Sequence, residues 1–149
     1  IKKQGRAKSI GVSNFMPEHL EQIIEATGEV PVLNQVELHP HFQQKKLRAF
    51  HEKHSIYTEC WSPLGQGQVI KDPTIVDIAN KHKKSPAQII LRWHLQNNFI
   101  VIPKSVTPSR IKENFEVSNF SLDNDDLRKI DSMDSESGRI GPNPSTADF

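Results

Sequence analysis

The chain has 149 residues, of which 35% are hydrophobic and 25% charged, with a formal net charge of +1. That is enough for one ordinary core and too apolar for a disordered polymer, and the near-neutral balance argues against a general nucleic-acid binder. No apolar run approaches the roughly 20 residues of a membrane helix, and the lone Cys60 has no internal disulfide partner, so a cytoplasmic setting is expected.

The polar opening, Ile1-Lys2-Lys3-Gln4-Gly5-Arg6, does not read as a signal peptide, and the first residue is not Met, as in a processed protein or a piece of a longer one. Lys8 to Phe15 reads as a short strand. Pro17 then starts a helix with Leu20, Ile23, Ile24 and Thr27 at helical spacing and Gly28 as its stop. Met16 is a poor cap for that helix. Val32 to Leu38 is a second strand, with Val32, Asn34, Val36 and Leu38 on one face and Leu33, Gln35 and Glu37 on the other. Alternating polar residues suit a barrel strand that lines a polar site.

Gln44 to His54 reads as a helix, Ile56 to Trp61 as a third strand, and Ser62 to Gln68 as a loop whose Gly65 and Gly67 permit close backbone approach. Pro73 to Lys83 is helical. Ser85-Pro86-Ala87-Gln88 is a strong start signal for a helix reaching about Asn98 that buries Ile89, Ile90 and Trp93. A fourth strand, Phe99 to Ile102, leads into Pro103-Lys104-Ser105-Val106-Thr107-Pro108. There Thr107 is a good N-cap and Pro108 suits the first helical position. A last helix is capped by Asp123 and carries Leu127, Ile130 and Met133; the tail from Gly138 reads as irregular. Strands alternating with helices imply a parallel sheet with right-handed crossovers and a functional face where the strands end.

The turn around Lys104 can be read in two ways. A helix N-terminus favours phosphate, and Lys104 and Arg110 flank this one with full charges. A solvated basic turn is the bland alternative. His39 with His41, and His51 with His54, bring no third ligand at a useful spacing for a metal. Cys60 reads as a small buried side chain, Trp93 as core, and Lys81 to Lys84 as a solvated helix end.

Four segments in order, Gly11-Val12-Ser13-Asn14-Phe15, Asn34-Gln35-Val36-Glu37-Leu38-His39-Pro40, Trp61-Ser62-Pro63-Leu64-Gly65 and Ile102-Pro103-Lys104-Ser105, resemble the aldo-keto reductases. Trp61 and Ser137-Gly138-Arg139 look like the bacterial 2,5-diketo-D-gluconate reductase group. The resemblance implies a (β/α)8 TIM barrel that reduces aldehydes or ketones with NADPH and no metal. It implies that Ser13, Asn14 and Gln35 hold the nicotinamide carboxamide and that Trp61 stacks on the ring. Ser62, Leu64 and Gln66 would lie along the pyrophosphate. Lys104, Ser105, Val106 and Thr107 would surround the ribose 2′-phosphate, with Arg110 beside it and Glu113 and Asn114 at the adenine edge. Arg139 and Phe149 belong to the kind of tail that borders the substrate pocket in such a family.

A full barrel has eight units and about 250 residues; residues 1–149 read as one incomplete domain, the last four units with a terminal helix and tail. The family's catalytic Asp, Tyr, Lys and His belong to the other half and have no matching positions here, so no catalytic residue is assigned. The expected function is the cofactor-binding half of an NADPH-dependent carbonyl reductase acting on a small carbonyl compound, with the intact protein a monomer and the isolated half prone to self-associate. The alternative is a non-catalytic nucleotide-binding or interaction protein, or an inactive fragment of the same fold.

Overall fold

The computed structural model describes residues 1–146; Phe149 lies outside them. In chain order the elements are β1 (Val12–Ser13), α1 (Pro17–Thr27), β2 (Leu33–Glu37), α2 (Lys45–Lys53), β3 (Tyr57–Trp61), α3 (Pro73–His82), α4 (Pro86–Gln96), β4 (Ile100–Val101), α5 (Pro108–Phe115) and α6 (Asn124–Asp131). Short 3₁₀ turns cover Gly65–Gly67, Val69–Lys71 and Glu136–Gly138. The β3–β4 crossover thus carries two helices, one more than a simple strand–helix count allots.

All three strand pairings are parallel, in the order β1-β2-β3-β4. Consecutive strands are neighbours, as in a barrel wall, and the chain is an α/β fold with the units of one half of a (β/α)8 barrel. The inner strands β2 and β3 have five residues each, whereas the outer β1 and β4 have two. The sequence indicates longer outer strands. Each outer strand has one neighbour, so half of its backbone groups have no ladder to join.

Two apolar clusters hold the layers together. Leu20, Val36, Leu47 and Ile56 pack under α1 and α2. A larger cluster joins Leu38, Cys60, Ile75, Ile78, Ile89, Ile90, Trp93, Leu122 and Ile130 beneath α3, α4 and α6. The 3₁₀ turns after β3 close over this cluster by burying Val69. Gly65 makes that possible: its φ is +56°, and a Cβ there would stand 2.3 Å from Val69 Cγ2.

Helix starts follow local chemistry. Ser85 Oγ accepts from Gln88 N–H at 3.3 Å, while Gln88 Oε1 accepts from Ser85 N–H at 3.1 Å. Asp123 Oδ1 accepts from the N–H groups of Asp125 and Asp126. Asp72, which the sequence does not single out, caps α3 through Thr74 N–H at 2.8 Å. At α1 the Met16 side chain contributes no cap, but His19 Nδ1 accepts the Met16 N–H at 3.1 Å. Thr107 holds the N-cap place of α5, yet its hydroxyl makes no capping bond. Instead Ser105 Oγ accepts from Thr107 N–H at 3.2 Å, so the reading of Thr107 as a side-chain cap is corrected.

Candidate cofactor site

The carboxyl ends of the strands gather four of the sequence-selected residues. Register places Ser13 opposite Gln35, and Glu37 opposite Trp61. Just past β1, Asn14 takes the left-handed conformation with φ 60°, which asparagine tolerates better than most residues. Its N–H donates to Gln35 O at 2.8 Å, and Ser13 Oγ donates to the same carbonyl at 3.2 Å. Trp61 Nε1 donates to Asn14 Oδ1 at 2.8 Å. That bond leaves the Asn14 amide hydrogens without a protein acceptor among the described residues. Gln35 Nε2 donates to Glu59 Oε1 on β3.

Behind this group lies a polar network that sequence reading missed. Asn34, fully buried, binds Phe15 through both backbone groups: Nδ2 donates to Phe15 O at 2.7 Å and Oδ1 accepts from Phe15 N–H at 3.3 Å. Its second amide hydrogen faces His51 Nε2 at 3.1 Å, and His51 Nδ1 faces Thr58 Oγ1 at 2.9 Å. This arrangement satisfies a neutral imidazole with its proton on Nδ1. Burial pushes the His51 pKa down to about 4. The alternating polar residues of β2 are the legible trace of the network.

A second gathering lies one loop away. A cleft of about 500 Å³ is lined by Leu64 together with Lys104, Ser105, Val106, Thr107, Arg110, Glu113 and Asn114. Gly67, Ile70 and the first turn of α4, Ser85 to Ala87, complete it. The first turns of α4 and α5 thus both border the cleft, with Lys104 and Arg110 exposed to solvent. Helix N-termini plus two cations are an anion-binding donor set. Trp61, Ser62 and Gln66 do not line this cleft; Ser62 and Gln66 sit in the connecting loop with φ 49° and 51°.

The tail is not loose here. Glu37, buried at the end of β2, accepts from Ile140 N–H at 2.6 Å and Gly141 N–H at 2.8 Å, and from His39 Nε2 at 3.1 Å. Burial raises the Glu37 pKa, but those three hydrogen bonds outweigh it, and the net direction is down. Arg139 lies over the Phe42 ring, 4.5 Å from its centroid. A Cβ on Gly141 would stand 2.4 Å from Trp61 Cη2, so the tail backbone runs flush against the indole.

The remaining residues that the sequence singles out have ordinary partners. His41 bonds Asp72 at 2.9 Å, and His54 stacks on Phe50. Cys60 is buried, and burial pushes its thiol pKa up. The helix end at Lys81 is not simply solvated: Lys81 bonds Asp123 and Asp126 at 2.6 and 2.7 Å, and His82 bonds the buried Asp126 at 2.7 Å. A buried carboxylate recruits cations because an unpaired charge there is costly. Among the described residues, no three His, Cys, Asp or Glu side chains converge as a metal needs, and no helix is long and apolar enough to cross a membrane.

These (β/α) units, with a basic cleft at the strand ends, define a class, and the comparison with known families names it: the Aldo/keto reductase family pattern matches residues 1–135, and the chain belongs to that family. An aldo-keto reductase of Mycolicibacterium smegmatis is 53% identical over 149 residues, covering 100% of this chain and 54% of the relative. Methylglyoxal reductase DkgA of Escherichia coli is 52% identical over 146 residues, covering 97% of this chain and 53% of DkgA. Among solved structures, a Gox0644 mutant in complex with NADPH superposes with a TM-score of 0.97 at 61% identity, covering 99% of this chain and 55% of that one. The chain therefore spans about half the length of the relatives it matches.

Proposed function

We propose that residues 1–149 form the cofactor-holding half of an NADPH-dependent reductase of aldehydes or ketones. One observation carries the reading: Lys104, Ser105, Thr107 and Arg110 line a cleft bordered by two helix starts, a donor set suited to a ribose 2′-phosphate. Arg110 grips the phosphate or lies against the adenine, whose edge Glu113 and Asn114 face. Leu64, with Ser62 and Gln66, follows the pyrophosphate. At the far end Ser13, Asn14 and Gln35 supply the donors and acceptors that a carboxamide needs, and Trp61 offers a ring to stack on. Bound NADPH supplies the hydride for the carbonyl carbon. The NADPH complex of the similar Gox0644 mutant and the methylglyoxal reductase name of DkgA support this reading.

Nuclear magnetic resonance titration of the chain with NADP⁺ tests it. The account expects amide shifts concentrated in residues 104–114 and a shift of the Trp61 indole N–H. Shifts scattered over the helix surfaces would remove the site.

A non-catalytic nucleotide-binding protein on this fold is favoured by one observation. Tyr57, the only tyrosine, opens β3 and so lies at the end opposite Trp61. An assay of NADPH oxidation by this chain with a small dicarbonyl separates the readings: turnover requires a proton donor within these residues, and its absence assigns that donor elsewhere.

The outward apolar side chains Val106, Ile111 and Phe115, exposed by 85%, 53% and 87%, support self-association of the isolated chain, alongside its two open sheet edges. Sedimentation that finds a single monomer at all concentrations would contradict this.

A further inference from the structure

We infer that Gln88 is a positioning residue for the adenine side of the cleft, acting through α5 without touching the ligand. This rests on the nucleotide reading above. α5 has eight residues, none of them buried. A helix so short is marginal in water without packing, and the large apolar side chains Ile111 and Phe115 face outward. Yet α5 carries Arg110, Glu113 and Asn114, one wall of the cleft. With its own side chains at most partly buried, and the nearest buried apolar residue along the chain, Val117, lying just beyond its end, α5 depends on polar contacts for its placement.

Gln88 supplies them. It sits on α4 and is 6% exposed. Its Nε2 donates to Glu113 O and Glu116 O, both at 3.1 Å, carbonyls in and just after the last turn of α5. Its Oε1 accepts from Ser85 N–H at 3.1 Å. The amide can point only one way: flipped, it would set its NH₂ against the Ser85 N–H and its oxygen against two carbonyls. Among the described residues, no other side chain outside α5 donates to residues 108–116. The start of α4 and the body of α5, both lining the cleft, are therefore joined through the Gln88 amide, while Arg92 of α4 donates beyond α5, to Val117 O at 3.4 Å. Loss of its donors frees α5 to shift, and a wall that must be ordered on binding weakens affinity.

The test uses this chain, adenosine 2′,5′-bisphosphate as probe, and Gln88→Met, which keeps the volume and removes the donors. Gln88→Glu is the second variant, for use if the first does not fold; it keeps the acceptor for Ser85. Asp123→Ala, which uncaps α6 away from the cleft, controls for a general loss of stability. Calorimetric titration is expected to show affinity falling about tenfold in the Gln88 variants, the scale of one lost buried hydrogen bond. The control should retain affinity. Amide exchange should accelerate in residues 108–116 and, in Gln88→Met, at the Ser85 N–H that loses its acceptor, but not elsewhere. Affinity within twofold of the parent, or exchange that rises uniformly, overturns the proposal. If the parent chain itself does not bind the probe, the nucleotide reading fails; the exchange measurement still decides whether Gln88 holds α5, and unchanged exchange there overturns that too.

Discussion

Trp61 Nε1 donates to Asn14 Oδ1 at 2.8 Å, joining the end of β3 to the end of β1 across the intervening strand. The bond fixes the indole plane and uses the one amide oxygen of a residue already held in the left-handed conformation. Asn14→Gly removes the bond while relieving the backbone and should destabilise the chain by about 1 kcal/mol. Asn14→Ala adds the left-handed penalty and should cost roughly 2 kcal/mol or more in total. Urea unfolding of both variants checks the order; equal losses would mean that the backbone conformation contributes nothing.

The contact between Glu37 and the tail predicts a change in protease sensitivity. Glu37→Gln offers one carbonyl oxygen where a carboxylate met two backbone N–H groups, and it sets an NH₂ against donors. Trypsin should then cut after Arg139 at least about tenfold faster, since release of the tail loses charge-assisted bonds of 1.5–3 kcal/mol each, roughly. In the parent, the lowered Glu37 pKa means that its contribution is present above the ordinary carboxylate range and is lost as pH falls through the folded-state value. An unchanged cleavage rate in the variant would detach the tail from Glu37.

Acid sensitivity follows from His51. Burial holds its pKa at about 4, against about 6.5 in an unfolded chain. Between those values the unfolded chain binds a proton that the folded chain refuses, so stability rises with pH across this window and is lost as pH falls from about 6.5 to 4. The loss attributable to His51 approaches about 3 kcal/mol. His94, also held at about 4 by burial, acts in the same direction, so the test is comparative. His51→Gln should show a shallower fall in urea-unfolding free energy between pH 7 and 4.5 than its parent; parallel curves would refute the assignment.

Much of the fold was legible because local signals agreed with tertiary need. Pro17 with Gly28, and Ser85 with Gln88, bound their helices closely. The outer strands came out shorter than the hydrophobic pattern suggests because a ladder needs a neighbour, which no pattern encodes. Thr107 misled for a related reason: a capping residue two positions earlier, Ser105, took over the turn. The cleft residues were found by motif and gathered by topology, as the lining of one cleft by both Leu64 and Arg110 shows. Glu37, Glu59, Asn34 and Gln88 were passed over as parts of strands or caps. Their partners lie on other elements, Glu37 and Ile140 being separated by 103 residues. A buried polar residue in an otherwise apolar element was the only available trace.

The central claim is that the cleft beside α5 holds a 2′-phosphate. Calorimetric titration of the parent chain and of Arg110→Ala with NADPH and with NADH tests it most directly. The account predicts that the parent prefers NADPH and that the substitution weakens NADPH by about tenfold or more while changing NADH less than about twofold. Equal affinity of the parent for both nucleotides, or equal losses in the variant, would contradict it.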